Sequence, residues 1–152
     1  MQPRSRRASG SDDIDLHVLE WSSDGVPMLL VHGFGNDAHI WDDFAPEVAP
    51  YYRVFAMDQR GHGDSAWPLH GEYEYEHLAA DIEGVCHSLG FERLVLVGHS
   101  LGGRAAMLFG GEHPERLAGL VIVDSAPEID ARGSTRIQMG VGEHRDPSFG
   151  SV

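Results

Sequence analysis

The sequence is poor in the residues that secreted and nucleic-acid-binding proteins use. Its 152 residues include one cysteine, Cys86, which excludes an internal disulfide and favours a reducing compartment, so we expect a cytoplasmic protein. Lysine is absent, and all 11 basic residues are arginine. Together with 24 acidic residues they give a net charge of −13. Only Arg4, Arg6 and Arg7 cluster, which argues against a nucleic-acid partner, because phosphate contacts need grouped basic side chains.

Long hydrophobic runs are also missing. No apolar stretch approaches the roughly 20 residues that span a bilayer, and no apolar signal-peptide segment follows the basic start of the chain. These absences predict a soluble protein that does not act on a membrane. The hydrophobic fraction of 41% and the charged fraction of 23% are typical of globular proteins, and the length suits one domain.

The periodicity of apolar residues divides the chain into three parts. Residues 1–13 show no periodicity and are rich in Ser, Arg, Gly and Asp, so we expect a disordered tail. Residues 14–130 contain regular elements and form the predicted core. Residues 131–152 lose the pattern and are interpreted as irregular or weakly helical.

Strands and helices alternate within the predicted core. Residues 14–21 alternate apolar with polar side chains, as a half-exposed edge strand does. Continuous apolar runs, typical of parallel strands buried on both faces, lie at 28–31, 54–57, 94–97 and 117–123. Helical spacing lies between these runs, after Asn36 and Asp37, before Gly90, and over 101–113. The alternation predicts an α/β fold of three layers with a mostly parallel sheet.

The sharpest motif is Gly98-His99-Ser100-Leu101-Gly102, which joins an apolar strand to a helix. A serine on so tight a turn is held in a strained conformation above the sheet, and the flanking glycines let strand and helix approach closely. The amides at the start of the helix point to where the negative charge of a tetrahedral intermediate would develop. Gly-x-Ser-x-Gly also arises by chance in a chain with 19 glycines, but the strand and helix on either side favour Ser100 as a nucleophile.

A second motif, His32-Gly33-Phe34-Gly35, closes the apolar run at 28–31. Its glycines allow a sharp turn in which the Phe34 amide would face the nucleophile and join the Leu101 amide as an oxyanion donor. The alternative is an ordinary strand-to-helix turn. We interpret His32 as a hydrogen-bonding scaffold residue rather than a base.

A third motif is the polar, glycine-rich turn at 57–65. It offers a histidine and two carboxylates, but Asp and Ser favour local bonds to the backbone. We therefore expect Asp58, Arg60, Asp64 and Ser65 to bond the loop and one another.

These three motifs, in this order, resemble those of the α/β-hydrolase fold superfamily. Over residues 14–130 the chain is similar to its bacterial C–C bond hydrolases, esterases and cofactor-free haloperoxidase-like enzymes. The resemblance implies Ser100 as nucleophile, an oxyanion hole formed by the Phe34 and Leu101 amides, a small-molecule substrate, and no metal or organic cofactor. Dehalogenases and epoxide hydrolases of the superfamily also resemble the sequence but place Asp at the nucleophile position.

A base for Ser100 is not evident in the sequence. The family order is nucleophile, acid and then histidine, with a cap domain between core strands, so we expect residues 131–152 to begin the cap and the base to lie beyond Val152. Asp124 ends a strand where some lipases carry their acid, although a turn-forming role is the stronger alternative. His144 has the right chain order but no strand to position it, and His99 is expected to turn its ring away from Ser100. The remaining histidines, apart from His32 and His62 in their motifs, are expected on solvated surfaces: His17, His39, His70, His77, His87 and His113.

The sequence therefore predicts the nucleophile part of a serine hydrolase that acts on esters or related acyl compounds. The alternative is a catalytically inert fragment or a non-catalytic interaction protein. Among enzymes, C–C hydrolase, haloperoxidase-like, lactonase and thioesterase activities all stay open. Residues 117–123 would form an apolar sheet edge if no later strand covers them, so we also expect self-association.

Overall fold

A six-stranded sheet forms the centre of the structure, a computed structural model that describes residues 2–126. Its strands are β1 (Arg4–Ser9), β2 (Asp15–Glu20), β3 (Val26–Val31), β4 (Tyr52–Met57), β5 (Leu94–His99) and β6 (Leu117–Val123). The order across the sheet is β1-β2-β4-β3-β5-β6. β2 is antiparallel to both β1 and β4, whereas β4, β3, β5 and β6 run parallel. The predicted mostly parallel sheet is confirmed.

Helices cover both faces of this sheet. Within the described residues they are α1 (Ala45–Val48), α2 (Tyr75–Ser88) and α3 (Leu101–Glu112), and 3-10 turns lie at Ser11–Asp13, Ala38–Trp41 and Pro114–Arg116. Alternate strand residues face opposite layers: Leu29 and Val31 pack with α2 and α3, whereas Met28 and Leu30 pack with α1 and the turn before it. The two apolar clusters make the predicted three-layer α/β architecture.

The first strand corrects the prediction for the start of the chain. Residues 1–13 were expected to be disordered, but β1 pairs along its length with β2, so β2 is not the edge strand either. β1 has one apolar side chain, Ala8, which is buried. Main-chain pairing holds it, together with an Arg6–Glu20 ion pair at 3.1 Å. A strand held in this way leaves no hydrophobic periodicity in the sequence. The predictions for residues 131–152 lie outside the described residues.

A buried ion pair ties the loop after β4 to α2. Arg60 Nε lies 2.6 Å from Asp81 Oδ2, and the two side chains are 2% and 1% exposed. Arg60 also donates to the Glu72 carbonyl and to Ser11 Oγ. The hydrogen bond to Asp81, ahead of other causes, raises the pKa of Arg60. Arg60 therefore bonds helix α2, and not its own loop as the sequence suggested.

The single cysteine lies inside the layer formed by α2. Cys86 is fully buried, and burial raises the pKa of its thiol to about 12. The thiol is therefore protonated and unreactive at neutral pH. Across residues 2–126, the helices are too short or too polar to cross a bilayer.

Replacing Asp81 with alanine should strongly destabilise the fold. The change leaves the Arg60 guanidinium buried without its counter-charge, so we expect the free energy of unfolding to fall by about 3–5 kcal/mol. Urea denaturation followed by circular dichroism measures the loss. Asp42→Ala is the control, because Asp42 pairs with His39 at the surface and its loss should cost under about 1 kcal/mol. Equal effects of the two changes would contradict the prediction.

The apolar edge at β6 should make the isolated chain self-associate. Among the described residues β6 pairs only with β5, and Leu120, Val121 and Val123 are exposed. We expect sedimentation velocity to show a dimer that Val121→Lys weakens, because charged edge strands resist pairing. Val26→Lys is the control, since Val26 is 48% exposed, close to the 47% of Val121, but starts an inner strand. A monomer at all concentrations would show the expectation to be wrong.

Candidate active site

Ser100 occupies a strained bend between β5 and α3. Its φ of 50° and ψ of −112° place it in the left-handed half of backbone space, which non-glycine residues rarely enter. The Ser100 amide donates to the Val123 carbonyl at 3.0 Å, and its carbonyl accepts from the Arg104 amide. The main chain therefore fixes the bend at both ends, and the predicted strand–turn–helix shape is present.

Glycines on either side of Ser100 allow three backbone segments to meet. A methyl group on Gly98 would lie 2.5 Å from the Gly102 carbonyl oxygen. One on Gly102 would lie 2.5 Å from the carbonyl oxygens of Val31 and His32. Real Cβ atoms do not approach so closely, so both positions require glycine. The consequence is that β5, α3 and the end of β3 come together beneath Ser100.

The turn after β3 lies directly against Ser100. A Cβ on Gly33 would lie 3.1 Å from Ser100 Cβ, and the Gly102 amide donates to the His32 carbonyl at 3.1 Å. The turn closes with a bond from the Asn36 amide to the Gly33 carbonyl, and Gly35 takes the positive φ of 72° that this turn needs. The structure therefore brings together the two motifs that the sequence separates by more than 60 positions.

Two amides in this region have no hydrogen-bond acceptor among the described residues. Within residues 2–126, the amides of Phe34 and Leu101 donate to no protein acceptor. Leu101 begins α3, where amides lack an intrahelical partner, and the positive end of the helix dipole lies there. The Phe34 side chain is 59% exposed. Both residues proposed for the oxyanion hole therefore lie in segments that border Ser100.

His32 is a neutral scaffold residue. Its Nδ1 lies 2.7 Å from the Gly33 carbonyl oxygen, which can only accept, so Nδ1 carries the proton. Its Nε2 then accepts from the Gln59 amide at 3.0 Å. Burial lowers the pKa of His32 below its ordinary value of 6.5, although the Gly33 bond works in the other direction. Both ring nitrogens are occupied, which agrees with the scaffold role and leaves none free to act as a base.

The loop at 58–65 supports the turn at 32–35 through His62. His62 Nδ1 lies 3.0 Å from the Arg60 carbonyl, and its Nε2 accepts from the Gly35 amide at 3.4 Å. Its ring also meets the Phe34 ring edge-on, with centroids 6.0 Å apart. Sequence reasoning placed His62 in a self-contained loop and missed this contact.

Asp58 joins that loop to two other segments. Its Oδ2 accepts from the Asp64 amide and its Oδ1 from the Ala38 amide at 2.6 Å, and the Ser65 hydroxyl donates to its carbonyl. These bonds confirm the predicted structural role. His17 was expected at the surface but is buried, with Nδ1 2.8 Å from Asp58 Oδ2. The expectation was wrong because the partner that makes burial tolerable is 41 residues away in the chain.

Among the described residues, Ser100 is not hydrogen-bonded to a base. Across residues 2–126, no side chain hydrogen-bonds Ser100 Oγ. The His99 ring packs against Gly33, where its Nδ1 is buried and has no partner among these residues. His39, His70 and His87 are exposed as expected, while His77 and His113 are half-buried and face carboxylates. His144 lies outside the described residues.

Asp124 lies beside the bend at the carboxyl end of β6. It follows Val123, whose carbonyl accepts from Ser100, and it has a φ of 48°. Its side chain is exposed. The positive φ is typical of a turn, and the acid role stays a prediction. Groups of three or more potential metal ligands do not occur among residues 2–126.

Comparison with known proteins defines the class to which this geometry belongs. The sequence model described as alpha/beta hydrolase fold matches residues 26–150. An α/β hydrolase from Novosphingobium aromaticivorans superposes with a TM-score of 0.86 at 32% identity, over 93% of this chain and 51% of the other. The chain belongs to the α/β hydrolase fold family.

Relatives of the chain carry several hydrolytic activities. A fluoroacetate dehalogenase from a Burkholderia species is 35% identical over 126 residues, which is 80% of this chain and 41% of the relative. A pimeloyl-[acyl-carrier protein] methyl ester esterase from Aeromonas hydrophila is 38% identical over 120 residues, or 75% of this chain and 43% of the relative. The chain thus spans about two fifths of the length of these proteins. These relatives include both a dehalogenase and an esterase, so similarity to them does not by itself define which reaction this chain would catalyse.

Adding one methyl group at Gly102 should damage the bend, while the same change at Gly111 should not. Both glycines lie in α3, but a Cβ on Gly102 would meet two carbonyl oxygens and one on Gly111 meets nothing within 4 Å. We expect Gly102→Ala to lower the free energy of unfolding by about 1–3 kcal/mol through overpacking. Gly111→Ala should raise it by about 0.5–1 kcal/mol, because alanine favours helix. Urea denaturation tests both, and equal shifts would contradict the close approach.

Proposed function

We propose that this chain supplies the nucleophile and the oxyanion hole of a serine hydrolase that acts on esters or related acyl compounds. The observation that carries the proposal is the bend at Ser100, with its φ of 50° between a buried strand and a helix. A fold family alone does not define a reaction, so the assignment depends on this site. The esterase among the relatives supports the ester class, and serine at position 100 separates the chain from chemistry that begins with an aspartate.

The reaction would proceed through an acyl-enzyme. Ser100 Oγ attacks the carbonyl carbon of the ester while a base takes the hydroxyl proton. The negative charge that develops on the carbonyl oxygen is stabilised by the amides of Phe34 and Leu101. The alcohol leaves with a proton from the same base, and water then releases the acid. No step of this sequence needs a metal or an organic cofactor.

The proposed reaction also needs a base for Ser100 and an acid that orients this base. A serine hydroxyl is a weak nucleophile until a base removes its proton, and among residues 2–126 no histidine is hydrogen-bonded to Ser100 Oγ. We propose that a histidine outside these residues fills this role, oriented either by Asp124 or by another carboxylate. The same observation supports the second candidate, a protein without catalytic activity, if no such histidine reaches the site.

A fluorophosphonate probe tests the nucleophile. We expect it to label Ser100 in the longest natural reading frame that contains this chain, and Ser100→Ala to abolish the label at that position. Peptide mapping by mass spectrometry identifies the labelled residue. Ser23→Ala is the control, because Ser23 is exposed in a turn and its hydroxyl bonds only Asp24. Absence of label at Ser100 would refute the nucleophile assignment.

Hydrolysis of a nitrophenyl ester separates the two candidate functions. We expect turnover that falls at least about 100-fold in Ser100→Ala, which removes the attacking oxygen but keeps the oxyanion amides. Equal rates for the two proteins would show that Ser100 does not supply the attacking oxygen.

A further inference from the structure

A second serine, far from Ser100, belongs to a complete chain of hydrogen bonds through histidine to aspartate. Ser5 Oγ lies 2.8 Å from His17 Nε2, and His17 Nδ1 lies 2.8 Å from Asp58 Oδ2. Ser5 is on β1 and Ser100 follows β5, which is four strands away in the sheet order. At 4.7–4.9 Å for each strand, the separation is about 19 Å or more. The two serines therefore belong to different sites.

The chemistry of each partner determines which atoms carry protons in the Ser5–His17–Asp58 series of hydrogen bonds. A carboxylate only accepts, so His17 Nδ1 donates to Asp58. In the neutral form of the ring the lone pair is on Nε2, and the Ser5 hydroxyl donates to it. This is the tautomer in which a histidine can take a proton from a serine hydroxyl.

The histidine and the aspartate are held rigidly. Both side chains are buried, and Asp58 also accepts from the amides of Ala38 and Asp64. Two hydrogen bonds fix the main chain of His17. Its amide donates to Ser65 Oγ, and its carbonyl accepts from the Asp58 amide. The ring therefore keeps its orientation while Ser5, on the edge strand, is exposed.

The edge of β1 presents main-chain donors next to Ser5. The Ser9 amide donates to Ser88 Oγ, so it points away from β2. Amides alternate in direction along an antiparallel strand, which turns the amides of Ser5 and Arg7 outward as well. An oxyanion formed on a group attached to Ser5 Oγ can therefore meet the amide of Ser5 itself.

We propose that Ser5, His17 and Asp58 form a second reactive site, which accepts acyl groups from small activated esters and reacts with fluorophosphonates. Ser5 Oγ bonds to the carbonyl carbon while its proton passes to His17 Nε2, and Asp58 stabilises the imidazolium. The tetrahedral intermediate expels nitrophenolate and leaves an ester on Ser5, and His17 then gives its proton up to the solvent. A water molecule attacks this ester while the neutral His17 takes one of its protons, and the acid departs as His17 returns that proton to the Ser5 oxygen. With a fluorophosphonate, Ser5 Oγ bonds to phosphorus and fluoride leaves.

The location of Ser5 on an open strand edge predicts how its acylation rate depends on ester concentration. The two cavities described near this edge are lined by other residues and not by Ser5. An ester that reacts at Ser5 is therefore not held in either cavity beforehand. The acylation rate should therefore rise linearly with ester concentration and not saturate.

Labelling kinetics in a Ser100→Ala chain test the proposal. The fluorophosphonate should modify Ser5 about 100-fold faster than Ser9, since a positioned general base contributes at least about that factor. Ser9 is the matched reference in the same molecule, because it is exposed on the same face of the same strand. Mapping each labelled serine by mass spectrometry gives the ratio. Ser5→Ala in this background should abolish the fast label.

The outcomes separate a reactive site from a purely structural network. If His17 serves only to tie β1 to Asp58, Ser5 and Ser9 should label at similar rates, and a ratio under about 10-fold overturns the proposal. The comparison is made within one folded protein, so it does not depend on a destabilising change at His17. The label on Ser100 is scored separately, in the unsubstituted protein of the longest natural reading frame. Failure of the nucleophile assignment and failure of this proposal are therefore distinguishable.

Discussion

The candidate site depends on the close contact of three backbones with no side chains between them. Gly98 in β5 touches the start of α3, and Gly102 in α3 touches the carbonyls that end β3. Because these contacts leave no room for a Cβ, the bend at Ser100 has little freedom to relax. The strained φ at Ser100 is therefore maintained by the surrounding packing and does not need a ligand to hold it.

The central part of the fold was predictable because its signals are local. The apolar run at 117–123 became β6 with the same bounds, and Gly-x-Ser-x-Gly placed Ser100 at the junction of β5 and α3. Buried parallel strands need continuous apolar residues, and a sharp strand-to-helix bend needs glycine, so both leave a clear pattern in the sequence. The same reasoning placed a helix before Gly90, which ends α2 with a φ of 72°.

The parts that sequence reasoning missed are held by partners distant in the chain. β1 depends on main-chain pairing, which any sequence can supply. His17 depends on Asp58, and Arg60 depends on Asp81, 21 residues further on. A histidine or an arginine is usually exposed, so only knowledge of the partner reveals that it is buried. These long-range polar contacts tie the N-terminal strand and the loop at 58–65 to the same framework as the turn at 32–35.

The buried thiol of Cys86 does not react with thiol-specific reagents while the protein is folded. Cys86 is fully enclosed, and its pKa of about 12 leaves almost no thiolate near neutrality. A maleimide added to the folded protein should therefore spare it and react with any cysteine engineered at the surface. Fluorophores or spin labels can be installed at one chosen position without first removing the native residue. With labels at two such positions, distances between β1 and the bend at Ser100 become measurable by spectroscopy in solution.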